Sequence, residues 1–176
     1  VIRWRPGQPR EVRWSRWESP VGTLWLAWWD DVLVAGEFGE RPSQSFRDGR
    51  SPEQMPRWME RLCEDAFGGR AITFSLFAGE LTPLEQALLS TATEIPFGST
   101  ASYGTVAHWA GFPGRARAAG RAMSHSPLAY FIPTHRVIRA DGSAAACQRD
   151  PLNDRLRAFE GIVLFRRSGG IMRPIR

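Results

Sequence analysis

Three groups of residues in this 176-residue chain have side chains that could do chemistry. The first is its two thiols, Cys63 and Cys147. Thiolates are the strong nucleophiles among side chains. Neither cysteine sits in a CxxC or Cys/His cluster, so no structural zinc is expected, and two cysteines do not make a disulfide scaffold. The second is Thr134-His135-Arg136, set in the apolar run LAYFIPTHRVI. A histidine there is ordinarily a satisfied core group, and a threonine hydroxyl attacks only when a base serves it. The third is the segment PGRARAAGRAM, where Arg115, Arg117 and Arg121 alternate with Ala116, Ala118, Ala119, Gly120 and Ala122. A major-groove reader usually carries long polar side chains. A helix stripped to small residues can instead press its backbone into the minor groove, about 6 Å wide, or pack tightly on another helix. Packing does not call for three arginines, which tips the reading toward DNA.

The elements that must carry these residues are legible in part. PVGTLWLAWWDDVLVAGEF reads as a hairpin split at Asp30-Asp31. RPSQSFRDGRSP reads as a loop, and Met55, Met59, Leu62 and Ala66 recur at helical spacing from Pro52 to Phe67. TPLE, from Thr82 to Glu85, is a capping box opening a helix to about Thr93. Tyr103 to Ala110 reads as a short helix ended by Gly111, and Pro113 opens another through Met123. Two short helices joined at Gly-Phe-Pro form a helix-turn-helix candidate. LAYFIPTHRVI reads as a buried strand or strand–turn, LNDRLRAFEG as a final helix, and IVLFRR as a last strand. The domains are expected at 1–80 and 81–176.

The formal net charge is +5 and every one of the 23 Lys/Arg residues is arginine. That balance fits a polyanionic partner, and arginine suits bidentate phosphate contacts. No apolar run is long enough to cross a membrane, and the N-terminal stretch lacks a signal-peptide apolar region, so a cytoplasmic protein is expected. The tryptophans near the N-terminus, Trp4, Trp14 and Trp17, are expected to pack under the sheet.

The stretch from Thr82 to Gly161 resembles the C-terminal domain of the O6-alkylguanine-DNA alkyltransferases. TPLEQALLSTATEIPFGSTASYGTVAHWAGFPGRARAAGRAMSHSP is similar, without a gap, to that family's first helix, tyrosine-bearing helix and arginine-bearing recognition helix. FIPTHRVIRADGS is similar to its active-site strand, whose hallmark Pro-Cys-His-Arg stands here as Pro133-Thr134-His135-Arg136. SPVGTLWLAWWDDVLVAGEFGE resembles the N-terminal domain more loosely. The resemblance implies an α/β fold: a small antiparallel-sheet domain, then a mainly helical domain with a helix-turn-helix. It implies duplex DNA carrying O6-alkylguanine as partner, bound through the minor groove with the base flipped out.

Carried over by position, Tyr103 looks like the tyrosine that rotates the nucleotide out, and Arg117 like the arginine that fills its place. Ser102, Arg115, Ala116, Gly120 and Arg121 complete the expected DNA face. His135 and Glu160 match the pair that activates the cysteine through a water. Pro133, Thr134, Met123, Ser143 and Cys147 are expected around the base pocket. No cofactor and no metal are implied: some relatives hold zinc through cysteine and histidine in the N-terminal domain, and this N-terminal half has Cys63 but no histidine.

The departures fall in the pocket. Ser126 stands where the family often has asparagine, Arg149 and Asp150 where glycines are expected, and Gln148 lies in the pocket loop. Thr134 is the largest departure, because family chemistry is displacement at an alkyl carbon by a thiolate and a hydroxyl is far less acidic. The expectation is therefore a monomeric, non-catalytic lesion sensor of the alkyltransferase-like subgroup, which hands its site to nucleotide excision repair. The alternatives are an active methyltransferase, through Cys147 or with Thr134 an engineered replacement of cysteine, and a DNA-binding domain without lesion recognition.

Overall fold

The structure is a computed structural model that describes residues 1–9, 11–43, 52–145, 151–168 and 171–174. The chain divides into two compact units, one made of Val1–Thr82 and Pro127–Phe131, the other of Pro83–Ser126 and Ile132–Arg176. The segment 127–131, which the sequence reading gives to the second domain, thus belongs to the first unit. Leu128, Tyr130 and Phe131 are buried apolar groups there.

The first unit is built on a five-stranded sheet. Its strands are β1 (Ile2–Arg5), β2 (Arg13–Ser19), β3 (Gly22–Trp29), β4 (Val32–Phe38) and β5 (Phe74–Phe77), in the order β1-β5-β4-β3-β2. β2, β3 and β4 form the expected antiparallel meander, and Asp30 takes the left-handed φ of +51° at the β3–β4 turn. β5 adds in parallel to both β1 and β4, a pairing that needs a crossover and so left no local mark in the sequence. That crossover is α1 (Arg57–Phe67), shorter than the expected 52–67, with Met59, Leu62, Cys63, Ala66 and Phe67 buried. Two of the N-terminal tryptophans pack as expected. Trp14 meets Trp25 edge-on at 5.5 Å, and Trp17 meets Phe67 at 4.9 Å.

Segment 127–131 is fastened to β4 at Gly36. Gly36 N–H donates to Pro127 O at 2.9 Å, and Ala129 N–H donates to Gly36 O at 3.0 Å. Tyr130 has a φ of +68°, rare for a tyrosine. Its ring stacks on Phe67 at 3.9 Å and its hydroxyl donates to Ala66 O at 3.3 Å, contacts that hold the residue in that conformation.

The second unit contains α2 (Pro83–Ala92), β6 (Ala101–Ser102), α3 (Tyr103–Trp109), α4 (Ala116–Ser124), β7 (Val137–Ile138), α5 (Pro151–Phe159), β8 (Phe165–Ser168) and β9 (Ile171–Pro174). Thr134–Arg136 form a single 3₁₀ turn. LAYFIPTHRVI is therefore not one strand but a docking segment, a turn and two residues of β7. IVLFRR contributes β8, which pairs with β9 as a hairpin. Pro113 does not open α4: Gly111 and Gly114, with φ of +85° and +80°, spread the turn, and Arg115 caps the helix. Among the described residues, no helix is long and apolar enough to cross a membrane.

A β-carbon at Gly36 would lie 2.6 Å from Leu128 Cδ1 and 2.9 Å from Leu26 Cδ2, both on fully buried side chains. Gly36→Ala is expected to cost about 1–3 kcal/mol through overpacking. The measurement is the urea midpoint at unchanged slope; an unaltered midpoint would show that the docked segment yields freely.

Candidate functional site

The residues singled out in the sequence that come together do so around one carboxylate. Glu160 follows the last turn of α5, with its side chain out of solvent. Its Oε1 accepts from His135 Nε2 and from Arg136 Nη2, each at 2.8 Å. Its Oε2 accepts from Arg136 Nε at 2.8 Å and from Gly98 N–H at 3.2 Å. The pairing with Arg136 is a bidentate fork, the strong geometry for a guanidinium and a carboxylate. Arg136 Nη1 also donates to Ile95 O at 2.7 Å, and its Cζ lies 5.7 Å from the centre of the Phe97 ring.

Local sequence explains how these groups meet. β6 and β7 run parallel, Ala101 opposite Val137 and Ser102 opposite Ile138. The loop before β6, with Ile95 and Gly98, therefore lies beside the turn before β7, with His135 and Arg136. Gly98 has a φ of +74°, and a β-carbon there would sit 3.1 Å from Glu160 O. Glycine is needed on both counts.

Protonation follows from the bonding. Burial alone would raise the Glu160 carboxyl, but the hydrogen bonds and charges of His135 and Arg136 outweigh it and bring it from an ordinary 4.5 down to about 2. An ionised carboxylate only accepts, so His135 Nε2 carries the proton. Burial lowers the His135 pKa against the opposing pull of Glu160, with Arg136 and Arg157 adding to the lowering. The imidazole is thus neutral, and its Nδ1 is the basic nitrogen. Thr134, half-buried, precedes it in the same turn, and Pro133 is buried.

Tyr103, after β6, lies on the side of the loop that follows β7. It is half-buried and begins α3, which Ser102 caps by accepting from Thr105 N–H at 3.0 Å. A β-carbon on Gly120 would stand 3.8 Å from two atoms of the Tyr103 ring, so the gap in α4 faces that ring. Arg115, Arg117 and Arg121 are all exposed. Ala119 and Ala122 are fully buried, so part of the small-residue pattern of α4 serves packing, while Ala116, Ala118 and Gly120 are half-buried. Met123 faces inward at 5% exposure. Ser143 closes a tight loop, donating from its N–H and hydroxyl to Asp141 Oδ1 at 3.0 and 2.6 Å. Cys147, Gln148, Arg149 and Asp150 lie outside the described residues.

Cys63 cannot take the thiol's part. It is fully buried in the first unit, and burial, with Glu60 and Glu64 nearby, pushes its pKa up to about 12. A cavity of about 260 Å³ in that unit, between Arg3, Asp31, Trp58 and Phe74, holds none of the expected site residues. The sequence reading noted Arg136 only as a neighbour of His135, without a role, and did not single out Gly98 or Arg157. The signal for Arg136 was present: an arginine inside an apolar run must be paired if buried.

A family profile described as 6-O-methylguanine DNA methyltransferase, DNA binding domain, matches residues 83–161. A methylated-DNA–protein-cysteine methyltransferase of Mycolicibacterium paratuberculosis is 36% identical over 137 residues, 71% of this chain and 77% of the relative. The chain belongs to the 6-O-methylguanine DNA methyltransferase family. The Mycobacterium tuberculosis O6-methylguanine methyltransferase structure superposes with a TM-score of 0.69 at 29% identity, over 85% of this chain and 92% of that one. A structure titled as Mycobacterium tuberculosis OGT in complex with DNA gives 0.65 at 30% identity, over 84% and 94%.

These findings correct the expectation of a sensor without enzymatic activity. The relatives that share most of their length with this chain are named as methyltransferases. The sensor reading rested on Thr134 alone, and one residue does not outweigh similarity that runs through both units. The hand-over to nucleotide excision repair loses its premise with it.

The depressed Glu160 pKa fixes the sign of an acid dependence. A carboxyl that binds its proton less readily when folded contributes stability above its ordinary pKa and loses it as pH falls through the folded value. The Glu160 contribution to unfolding free energy is expected to be level above pH 4.5 and to drop by about 3 kcal/mol as pH approaches 2, on top of a separate decline below pH 6.5 from the lowered His135 pKa. Glu160→Gln should remove that slope and cost about 3–5 kcal/mol at neutral pH, because it strands the buried Arg136 charge. Urea titrations across the range check both; an equal slope in the variant would contradict the assignment.

Proposed function

We propose that this protein repairs O6-alkylguanine in duplex DNA by transferring the alkyl group to one of its own side chains. The observation that carries this is the buried His135–Glu160 pair, fully bonded and held neutral-over-anionic beside position 134, in a chain whose relatives are named for that transfer. DNA lies across α3 and α4 through the minor groove. Arg115, Arg117 and Arg121 supply the exposed positive charge, and Ala116 and Gly120 permit close approach. Tyr103 turns the target nucleotide out, Arg117 takes its place in the stack, and the base enters the pocket near Pro133, Thr134, Met123 and Ser143.

Displacement at an alkyl carbon requires a thiolate, and the sulfur–carbon bond forms as guanine leaves through O6. Thr134 supplies only a hydroxyl, which is the feature that resembles the alkyltransferase-like proteins. Cys63 is buried and stays protonated. The acceptor in this sequence is therefore Cys147, four residues beyond Ser143. Thr134 moves the acceptor rather than removing the activity.

The test is incubation with an O6-methylguanine duplex, followed by peptide mass analysis. A gain of one methylene on the peptide holding Cys147, lost in Cys147→Ser, is expected. Unchanged protein mass with the lesion intact would sink the proposal. Thr134→Cys puts a thiol next to His135 and should raise the transfer rate by about tenfold or more. On the DNA side, Arg117→Ala should reduce discrimination between lesion and undamaged duplex by about 1–3 kcal/mol. Arg115→Ala and Arg121→Ala should weaken binding to both duplexes alike and lower the salt slope by about one each.

A further inference from the structure

Arg157 is the one charged residue of α5 that the fold buries: it is 3% exposed, beside Leu156 on the inward face. An apolar side chain would fill that place without desolvation cost, whereas a buried guanidinium must find partners. Its Nη2 donates to Asp154 Oδ1 at 2.9 Å, one turn earlier on the same helix, with the Asp154 side chain largely exposed. Its Nη1 donates to the backbone carbonyl of His135 at 3.4 Å. Three residues further on, Glu160 accepts from the His135 ring. The end of α5 thus grips one histidine at two points, main chain and imidazole.

We propose that Arg157 is a positioning residue for His135, holding it by its carbonyl while Glu160 holds it by its ring. In the 3₁₀ turn Thr134–Arg136, Thr134 N–H donates to Ile132 O, Arg136 N–H to Pro133 O and Val137 N–H to Thr134 O, while the His135 carbonyl accepts from Arg157 on α5. With that carbonyl fixed, the imidazole plane and its Nδ1 have one orientation relative to the transferred group. Among the described residues, the charged groups acting on His135 are Glu160 and Arg157 from α5 and Arg136 from its own turn; both arginines disfavour an imidazolium, and Glu160 favours it. The inference rests on the proposed transfer only for its functional consequence, since the geometry at His135 is independent of the acceptor.

The experiment measures two things on the chain as it stands and on Arg157→Leu. Nitrogen NMR reports the His135 tautomer and titration; single-turnover assays report alkyl transfer beside affinity for an O6-methylguanine duplex. In Arg157→Leu the titration should move upward, while Glu160 keeps the proton of the neutral ring on Nε2. Transfer should slow roughly ten- to a hundredfold from misplacement, while DNA affinity holds within about twofold. Arg157→Lys should recover part of the rate. An unchanged ring with an unchanged rate overturns the proposal. A ring that shifts in a chain that transfers nothing supports the positioning role and removes the proposed function instead. If Arg157→Leu fails to fold, Asp154→Asn, which frees the guanidinium from its helix, should shift the ring in the opposite sense by strengthening the uncompensated charge; no shift there overturns the proposal as well.

Discussion

A buried carboxylate with every lone pair engaged is the constraint on which the second unit depends. Glu160 is anionic out of contact with water, a state that costs several kcal/mol unless donors replace the lost hydration. Four do: two from the Arg136 fork, one from the His135 ring and one from the Gly98 backbone. The donors come from two separate parts of the fold, and the acceptor from a third. The arginine and histidine need the tight turn after Pro133. The glycine needs a left-handed loop. The glutamate needs α5 to end where it does. Loss of any one leaves the others holding an uncompensated charge, so this interaction is cooperative rather than a sum of bonds.

The same bonding decides protonation and thereby chemistry. Because Glu160 is ionised, it assigns the proton on His135 to Nε2 and keeps Nδ1 basic. A histidine in water would sample both tautomers. Here Glu160 fixes the tautomer, while burial and the neighbouring arginines keep the ring uncharged, which is what a group that moves a proton needs. The arginines complete the balance by opposing the imidazolium that Glu160 would otherwise favour.

The helices show how one sequence pattern can serve two ends. The small residues of α4 allow two readings in the sequence, close approach to DNA and tight packing on another helix. Ala119 and Ala122 are core residues; Ala116 and Gly120 are half-buried, and Gly120 faces the Tyr103 ring. A helix that packs tightly on its inner side and stays slim on its outer side needs small residues on both, so composition alone could not divide them. The arginines, fully polar and long, fell on the exposed face without ambiguity.

Local patterns encode the β3–β4 hairpin, in its apolar runs and Asp30-Asp31, α1, in its periodic Met59, Leu62 and Ala66, the two short helices around Gly111, and the family, in Pro133-Thr134-His135-Arg136 and its context. The sequence also named His135 and Glu160 as partners, through resemblance. Tertiary structure alone decided the parallel addition of β1 and β5, the passage of 127–131 into the first unit, and the engagement of Gly98, Arg136 and Arg157 around the site. The reason is that these depend on contacts between residues tens of positions apart, whose partners become evident only when the chain closes and buried polar groups must find donors. Thr134 shows the converse limit. Its identity is plain in the sequence, but one residue does not decide function against similarity that runs through both units.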